Sequence, residues 1–445
     1  MQDLSLRNIN RLAIPAIIAG IAEPLISIAD TAIIGNIPGN AVVPLSAVGL
    51  GSSFFLLIVW VLAQIKSAIS ALVARYYGMG KMKSLKALVS HAIYSNMLLG
   101  VVFYLVTNYF ARDIFMLYNA EGEVLDATVS YFTIRSMGFP LTLGTYAIFG
   151  VFRGMQNTSW AMIISLSGGL LNLLLDIVLV YGVGSVIPSY GLEGAAYASL
   201  MAQGLMLLMA VVYFYRRTPF NLNPFHRFHP EMKNIVIMSS NLFVRTISLN
   251  VAYYLANRFA TGYGNNFIAA HTIAMNIWLF SSFFIDGYAN AGNAISGKLL
   301  GMNRITDLRK LTGFLSKVSV FIASCLAVIY LLGYVFIGSF FTHEQSVIDV
   351  FNSIFWLVIL SQPINAIAFA YDGIFKGLGR TALLRNTLVL ATFVVFVPAI
   401  YFADFIGLHI YGIWAAFILW MLARGGTLFY GFNKSYGKPI YTLKK

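Results

Sequence analysis

Acidic and amide side chains lie inside apolar stretches of this chain at spacings that place them on single helix faces. In "ISIADTAIIGN" and the residues before it, Glu23, Ser27 and Asp30 follow the spacing i, i+4, i+7, so they share one face. In "NLLLD", Asn172 and Asp176 are at i and i+4. A carboxylate at the centre of a bilayer costs roughly 2.5–3.5 kcal/mol on insertion scales, so its default interpretation is functional.

A third stretch, "GAAYAS", places Ala195 and Ser199 at i and i+4, with small residues that allow close helix approach. Carboxylate, amide and hydroxyl oxygens on facing helices suit a hard cation. They equally suit a proton, because burial and a like-charged neighbour favour the neutral carboxyl group. We therefore predict an ion-coupling site, in which Asp30, Asn172 and Asp176 are the ligands if the ion is Na⁺. A single Asn or Ser in a membrane helix is otherwise often a helix–helix hydrogen bond.

Several other polar and aromatic residues are candidates for contact with a substrate. Glu23 either joins the ion site or pairs with Arg135 as a structural bridge. The candidates predicted to be buried in the second half are Arg245, Arg258, Asp286 and Asp372. The two arginines could neutralise the two acids, and that pairing is either structural or part of a substrate site. The predicted substrate-contacting residues are Arg135, Phe149, Tyr253, Trp278, Asp286 and Asp372.

Composition places these residues in a membrane protein. The chain has 445 residues, of which 59% are hydrophobic and 10% are charged, whereas a soluble protein is about a quarter charged. Apolar runs of about 20 residues recur along the whole length, which favours helices over the short alternating strands of a β-barrel. The net charge of +13 is then attributed to cytoplasmic loops, and no nucleic-acid partner is expected.

The apolar runs predict twelve membrane spans. Loops after even-numbered spans, such as "RYYGMGKMKSLK", are basic, whereas Arg112 is the only Lys or Arg in the opposite loops. Both termini are therefore predicted to be cytoplasmic. No cleavable signal is expected. The predicted spans cover 11–35, 45–77, 87–110, 124–152, 159–183, 190–214, 233–261, 267–300, 308–337, 347–375, 383–405 and 409–432.

The two halves of the chain are related by an internal repeat at one constant spacing, about half of the chain length. This spacing, which we call the repeat offset, aligns Pro140 with Pro363 and Gly154 with Gly377, among other matches. Six spans in each half predict two lobes related by a pseudo-two-fold axis along the membrane normal. The predicted domains are an amino-terminal lobe (1–214), a cytoplasmic linker (215–232), a carboxy-terminal lobe (233–432) and a cytoplasmic tail (433–445).

The repeat does not extend to the acids of the first half. At the repeat offset, Asp30 corresponds to Tyr253 and Asp176 to Ala399, so one lobe alone is expected to perform the ion chemistry. Pro15 and Pro24 interrupt the span that carries Asp30, and proline frees carbonyls and kinks helices. We predict either a hinge or a static kink at these prolines.

Other classes of function find little support in the sequence. No GxxxxGK[ST] loop is present, which argues against an ATPase, and no nucleophile–base pair or pore-lining motif points to an intramembrane enzyme or a channel. The six histidines are scattered, and the single cysteine excludes a disulfide within the chain. No cofactor is expected beyond H⁺ or Na⁺ as a coupling ion.

The motifs resemble those of the multidrug and toxic compound extrusion (MATE) transporters over essentially the whole chain. The resemblance is carried by "ADTAIIGN", "FRGMQNT", "NLLLDIVLVYG" and "GLEGAAYAS". The motifs "YFTIRSMGFP", "IDGYANAGNAISGKLLG" and "YDGIFKGLGRTALLRNT" are similar to the branch named for DNA-damage-inducible protein F (DinF).

This resemblance implies an all-α polytopic membrane protein, with two six-helix lobes forming a V, that exchanges cations or protons for organic molecules. By position, Asp30, Asn172 and Asp176 match the amino-lobe acids and amide of the family, and Ser199 stands where many relatives have Thr. Ala195 would contribute its backbone, and Pro15 matches a proline associated with helix bending. Glu23 is not part of the family pattern.

The resulting expectation is a multidrug efflux antiporter in the cell membrane that exports cationic or amphipathic drug-like compounds and acts as a monomer in the lipid bilayer. The alternative is a flippase of the same superfamily that moves lipid-linked oligosaccharides or lipids. A cationic cavity would favour this alternative, because such a flippase must bind pyrophosphate.

Overall fold

The structure, a computed structural model, describes residues 5–37, 42–225 and 227–437, without the side chains of residues 22–25, 27 and 28. The side chains of Glu23, Pro24 and Ser27, which the sequence singles out, therefore lie outside the described residues. Within the described part the chain is helical, apart from an isolated antiparallel bridge between Val183 and Ile187.

The first half contains nine helices within the described residues, and a short 3₁₀ turn at Met82–Leu85 precedes the fourth. They are α1 (Leu6–Gly35), α2 (Val42–Leu62), α3 (Ile65–Gly78), α4 (Lys86–Tyr109), α5 (Ala111–Leu117), α6 (Gly122–Ser136), α7 (Gly138–Gly154), α8 (Ser159–Tyr181) and α9 (Gly191–Arg217).

The second half contains eight helices within the described residues, with a π-helical stretch at Ala391–Phe396 between two of them. They are α10 (Met232–Tyr263), α11 (Asn265–Gly301), α12 (Ile305–Leu332), α13 (Tyr334–Phe341), α14 (Gln345–Gly377), α15 (Thr381–Leu390), α16 (Val397–Phe405) and α17 (His409–Tyr436).

Ten helical segments of the described chain are long and apolar enough to cross a membrane. The α2–α3 pair forms one of them, and the stretch from α15 to α16 forms another. The long helix α1 and the α6–α7 pair occupy the other two predicted spans. The prediction of an all-α polytopic membrane protein is confirmed.

The chain divides into two compact units. The amino unit is Ile18–Val236, and the carboxy unit comprises the residues up to Ile17 together with those from Ile237 onward. The start of α1 belongs to the carboxy unit because it packs on α11: the Tyr288 hydroxyl donates to Asn10 Oδ1 at 2.9 Å, and a Cβ on Gly287 would lie 2.9 Å from the Ala13 carbonyl. The helix α1 thus contributes to both units.

Helix bounds in the second half repeat those of the first half at the predicted offset. The helix α11 begins one repeat offset after the start of α2 and ends one repeat offset after the end of α3. Likewise, α14 begins one repeat offset after the start of α6 and ends one repeat offset after the end of α7. The helix α13 begins one repeat offset after the start of α5. The repeat therefore covers helix lengths and breaks as well as residue types.

Two glycines repeat together with their contacts. A Cβ added at Gly154 in α7 would lie 2.9 Å from the carbonyl oxygen of Ser70 in α3. A Cβ at Gly377 in α14 would lie 2.2 Å from the carbonyl oxygen of Asn293 in α11. Ser70 and Asn293 are themselves related by the repeat offset. Gly154 and Gly377 thus occupy equivalent places in their units, where only glycine permits the close approach of two helix backbones.

Candidate ion-coupling site

The helix α1 reaches α8 through contacts on both sides of Asp30. A Cβ at Gly169 in α8 would lie 2.1 Å from Ile26 Cδ1, so the missing side chain makes room for α1. Further along, the Tyr181 hydroxyl donates a hydrogen bond of 2.7 Å to the Ile33 carbonyl. These contacts hold the second half of α1 against the polar face of α8.

The helix α9 packs closely on the same part of α8. A Cβ at Gly168 would lie 2.2 Å from Met206 Cγ, and a Cβ at Gly194 would lie 2.6 Å from the Leu179 carbonyl. Small residues at both ends of this contact therefore bring the two helix backbones together. The polar residues of α8 are enclosed between α1 and α9 as a result.

Four of the predicted residues meet at this place. Asn172 Nδ2 donates to Asp176 Oδ2 at 3.2 Å and to Ser199 Oγ at 3.4 Å. The carboxyl groups of Asp30 and Asp176 interact directly with each other. Asp176 is 1% exposed, and Asn172 and Ser199 are also buried. The i, i+4 spacing on α8 thus produces the predicted cluster, in which the amide orients one carboxylate.

Two carboxylate oxygens of this cluster are buried without a hydrogen-bond partner among the described residues. They are Oδ1 of Asp30 and Oδ1 of Asp176. Buried polar atoms are nearly always partnered, and leaving one unpaired is unfavourable by about 1–3 kcal/mol or more for a charged group. A proton shared between the two acids, or a Na⁺ ion that both coordinate, would provide the missing partner.

Arg135 supplies a positive charge beside the two acids. Its guanidinium carbon lies 3.8 Å from the ring centroid of Phe55, and its charge acts on both Asp30 and Asp176. Its Nη1 is buried without a hydrogen-bond partner among the described residues. Among the residues that the structure describes, the site therefore holds two carboxyl groups and one permanent cation.

Two further residues belong to this neighbourhood, and the sequence analysis missed them. Tyr131, 3% exposed, shares a hydrogen bond of 2.9 Å with Ser52 and lies within the electrostatic range of Arg135 and the two acids. Gln203 Oε1 is buried without a partner among the described residues, and the absent side chain of Gly138 leaves room for it beside Arg135. The sequence contained a signal for both residues, namely the i, i+4 spacing that places them on the helix face of a candidate residue. Tyr131 precedes Arg135 by four residues, and Gln203 follows Ser199 by four.

The remaining predicted residues of the first half lie in apolar surroundings. Ala195 is 4% exposed and packs in a cluster with Ile34 and Val180, and its backbone role stays a prediction. Phe149 is 6% exposed, with its ring 6.2 Å from that of Tyr146.

The carboxy unit contains a second buried polar cluster, centred on Asp372. Arg245 donates from Nε at 3.0 Å and from Nη2 at 2.7 Å to Asp372 Oδ1, and Arg424 Nη2 donates to the same oxygen at 3.0 Å. Lys376 Nζ lies 2.8 Å from Asp372 Oδ2. We call these four residues the carboxy cluster.

The predicted burial of Arg258 is wrong. Ala252, Ala256 and Ala260 are fully buried at intervals of four residues on α10, so Arg258 points to the opposite side and is exposed. The cations that neutralise Asp372 together with Arg245 are Arg424 and Lys376, which the sequence analysis did not consider as its partners.

The two candidate acids of the second half, Asp286 and Asp372, lie in different surroundings. Asp286 accepts a hydrogen bond of 3.0 Å from Asn290 Nδ2 and is absent from the groups that act on Asp372. Tyr253 and Trp278 do meet, with ring centroids 6.2 Å apart, and Arg245 and Arg424 act electrostatically on Tyr253. The aromatic candidates therefore lie beside the carboxy cluster, and Asp286 does not belong to it.

Two repeated helical units in a membrane protein, with a pair of carboxyl groups in one of them, are typical of a transporter. The MatE family model matches residues 15–178 and 242–402, more than half of the chain, and the protein belongs to this family of multidrug efflux transporters.

Two distant relatives match nearly the whole chain. The chain is 26% identical over 427 residues to DETOXIFICATION 44, a chloroplastic protein of Arabidopsis thaliana, covering 93% of this chain and 79% of that one. It is 23% identical to DNA damage-inducible protein F of Escherichia coli (strain K12), covering 94% and 90%. A crystal structure of a MATE protein in a bent conformation matches with a TM-score of 0.89 at 21% identity, covering 97% and 95%, which confirms the fold.

Proposed function

We propose that this protein is a secondary active antiporter that exports organic compounds, cationic or amphipathic, in exchange for H⁺ or Na⁺. The observation that carries the proposal is the direct contact of Asp30 with Asp176, with one oxygen of each buried and unpartnered among the described residues. Two ionised carboxylates in a poorly hydrated site repel each other, so at least one takes up a proton or both share a cation.

In the proposed mechanism the ion and the substrate favour different conformations. An ion shifts a conformational equilibrium only by its differential affinity for the two states. Loading of the pair by H⁺ or Na⁺ removes the repulsion between Asp30 and Asp176 and favours the arrangement in which α1, α8 and α9 are closely packed. Release of the ion on the other side restores the repulsion and favours the arrangement that binds substrate.

The proposed moving part is α1. Pro15 lies two residues before Ile17, the last residue of α1 that packs with the carboxy unit, whereas Asp30 lies in the amino unit. Proline removes a backbone hydrogen bond, and the helix bends most easily there. Pro24, nearer to Asp30, is the second proposed hinge.

We further propose a location in the cell membrane with both termini in the cytoplasm, because the basic loops follow the even-numbered spans. The proposed active form is a monomer in the lipid bilayer, since each repeat unit of this chain supplies its own polar cluster.

The alternative is a flippase for lipid-linked oligosaccharides or lipids. The observation that favours it is the cationic carboxy cluster, since guanidinium and ammonium groups bind phosphate. The direct contact between the two acids favours ion coupling, and antiport is the function we prefer.

The test is uphill efflux from liposomes that contain the purified protein. A panel of fluorescent cationic and amphipathic dyes is loaded inside, and a pH gradient or a Na⁺ gradient is imposed separately. Concentrative dye movement driven by one of the gradients supports antiport and identifies the coupling ion. Movement of a polyprenyl pyrophosphate between leaflets, with no gradient-driven dye movement, would instead support the flippase.

A further inference from the structure

The carboxy cluster holds more positive charge than its single carboxylate can neutralise. Asp372 is contacted by Arg245, Lys376 and Arg424, and these three cations are the charged groups that act on it. No second carboxylate lies within 4 Å of the three cations in the part of the chain that the structure describes. One negative and three positive charges leave a surplus of two positive charges.

This surplus lies among buried side chains of three apolar helices. The exposed fractions of the side chains are 2% for Arg424, 4% for Asp372, 7% for Arg245 and 11% for Lys376. A buried charge without a partner is strongly unfavourable. The two arginines remain charged in proteins, so their charge alone already exceeds that of the one carboxylate.

The reachable part of the cluster is its cationic part. Lys376 and Arg245 keep the largest exposed fractions, whereas Asp372 is enclosed by the groups that it binds. Arg245 uses Nε and Nη2 on Asp372, which leaves its third nitrogen for another acceptor. An arriving anion would therefore meet a guanidinium and an ammonium group before it met the resident carboxylate.

Aromatic rings adjoin the cluster. Arg424 lies over the Phe369 ring at 5.1 Å, and Tyr253, on which both arginines act, is 6.2 Å from Trp278 between ring centroids. A molecule with its charged group at the cluster would place an adjoining apolar or aromatic body against these rings.

We propose that the carboxy cluster is a binding site for an oxyanion, a carboxylate or phosphate group, carried by an amphipathic organic molecule. Arg245 and Lys376 bind the oxyanion, and Asp372 is the resident anion with which the arriving oxyanion competes for these cations. The inference deepens the proposed function, because it selects anionic or zwitterionic compounds among the amphipathic substrates. The shared chemistry admits a free amphiphile or the phosphate of a lipid.

The test is equilibrium binding to the detergent-purified protein without any gradient, so its outcome does not depend on ion-coupled transport. Three pyrene probes of matched size are compared by fluorescence anisotropy: pyrenebutyrate, pyrenebutanol and pyrenebutylamine. We expect pyrenebutyrate to bind at least about tenfold more tightly than the other two, since hydrogen bonds to charged groups are the strong ones.

Substitutions within the carboxy cluster should change the affinity for pyrenebutyrate in opposite directions, depending on the charge that is removed. Lys376→Gln and Arg245→Gln should each weaken pyrenebutyrate binding about tenfold. Asp372→Asn should tighten it, because the competing resident anion is lost, and pyrenebutyrate should raise the unfolding temperature of this variant more than that of the wild type. Lys310→Gln and Asp349→Asn, at exposed positions of the same unit, are the matched controls and should leave binding unchanged.

Two competitors distinguish the sources of the oxyanion. Displacement of the probe by unlabelled small carboxylates supports a free amphiphile, and displacement by a polyprenyl phosphate supports the same site with a lipid headgroup. Equal affinity for the three probes, or unchanged pyrenebutyrate binding in both Lys376→Gln and Arg245→Gln, would overturn the proposal. If Asp372→Asn does not fold, these two variants still decide.

Discussion

Replacement of Asp30 by asparagine tests whether the carboxylate pair couples transport to an ion. Asparagine keeps the size and shape of the side chain but cannot ionise. We expect Asp30→Asn to insert and fold at least as well as the wild type, because it removes a group that is unfavourable in the bilayer by roughly 2.5–3.5 kcal/mol on insertion scales. We expect it to abolish concentrative efflux.

The size of the loss follows from the energy that one proton carries. A pH gradient of 2 units supplies about 2.7 kcal/mol for each proton exchanged. With the membrane potential clamped at zero, one proton exchanged for one uncharged substrate molecule therefore sustains at most a roughly hundredfold concentration ratio. A transporter that cannot load the ion should reach a ratio of about one, however fast it equilibrates substrate.

The assay is the steady-state dye ratio across liposomes that contain the purified variant, under a pH gradient and then under a Na⁺ gradient. Asp176→Asn should behave like Asp30→Asn, because asparagine can still accept the hydrogen bond from Asn172. The double variant should be little worse than either single one, since both acids serve one coupled site. The matched control is Asp126→Asn, an exposed carboxylate whose ion pair with Arg112 contributes little.

Wild-type accumulation by Asp30→Asn under both gradients would refute the reasoning, since a side chain that cannot ionise would then support coupling. Additive losses in the double variant would show that the two acids act at separate sites.

Three further predictions concern helix packing, the polar neighbours of the two acids and topology. Gly377→Ala should destabilise the protein by about 1–3 kcal/mol, since its Cβ would lie 2.2 Å from the Asn293 carbonyl, whereas Gly313→Ala, with open space around it, should be neutral or slightly stabilising in thermal unfolding. Equal unfolding temperatures would contradict the close packing. Asn172→Ala should reduce coupled efflux about tenfold, because it removes the hydrogen bond to the charged carboxylate of Asp176. Ser199→Ala should have a smaller effect, because its hydrogen bond with Asn172 is long at 3.4 Å, and a larger effect of Ser199→Ala would count against this geometry. In a protein with Cys325 replaced by serine, a cysteine at Asn266 should react with an impermeant thiol reagent from outside intact cells, and one at Ser84 should not; external labelling of Ser84 would overturn the topology.

Much of the architecture was accessible from the sequence because local physics determines it. Apolar runs of membrane length become helices wherever backbone groups must bond internally. The repeat offset predicted equivalent positions in the two halves, and helix bounds recur in the structure at the same offset, as at the starts of α2 and α11. The i, i+4 spacing of Asn172 and Asp176 predicted a contact within one helix, and the structure has it at 3.2 Å.

Partners distant in sequence were harder to predict. Arg258 and Arg424 are both cations inside apolar spans, and composition does not distinguish them. The buried alanines at intervals of four residues on α10 would have indicated that Arg258 faces outward, and the large aromatics Phe417 and Trp420 on the same face as Arg424 would have indicated burial. That Arg424 meets Asp372, 52 residues earlier in the chain, depends on how α17 packs against α14, and no local pattern encodes it.

The two units keep one scaffold, but their buried polar clusters carry opposite charges. Gly154 and Gly377, which allow close helix contacts, recur at the repeat offset, because a side chain at either position would clash with a neighbouring backbone. The polar residues do not recur: Asp372 corresponds to Phe149, Arg424 to Met201 and Asp176 to Ala399. With both acids ionised, the described residues of the amino-unit site, two carboxylates and Arg135, have one net negative charge, whereas the carboxy cluster has two net positive charges.

This division of charge bears on how coupling works. If the ion binds at Asp30 and Asp176 and the substrate's oxyanion binds at Arg245 and Lys376, the two ligands share no protein atoms. Exchange then cannot proceed by direct displacement of one ligand by the other. It must proceed through a conformational equilibrium that both ligands bias, in which each ligand's effect equals its difference in affinity between the two states. By reciprocity, loading of the acids should change the affinity of the carboxy cluster for pyrenebutyrate, and Asp30→Asn should remove that dependence on the ion.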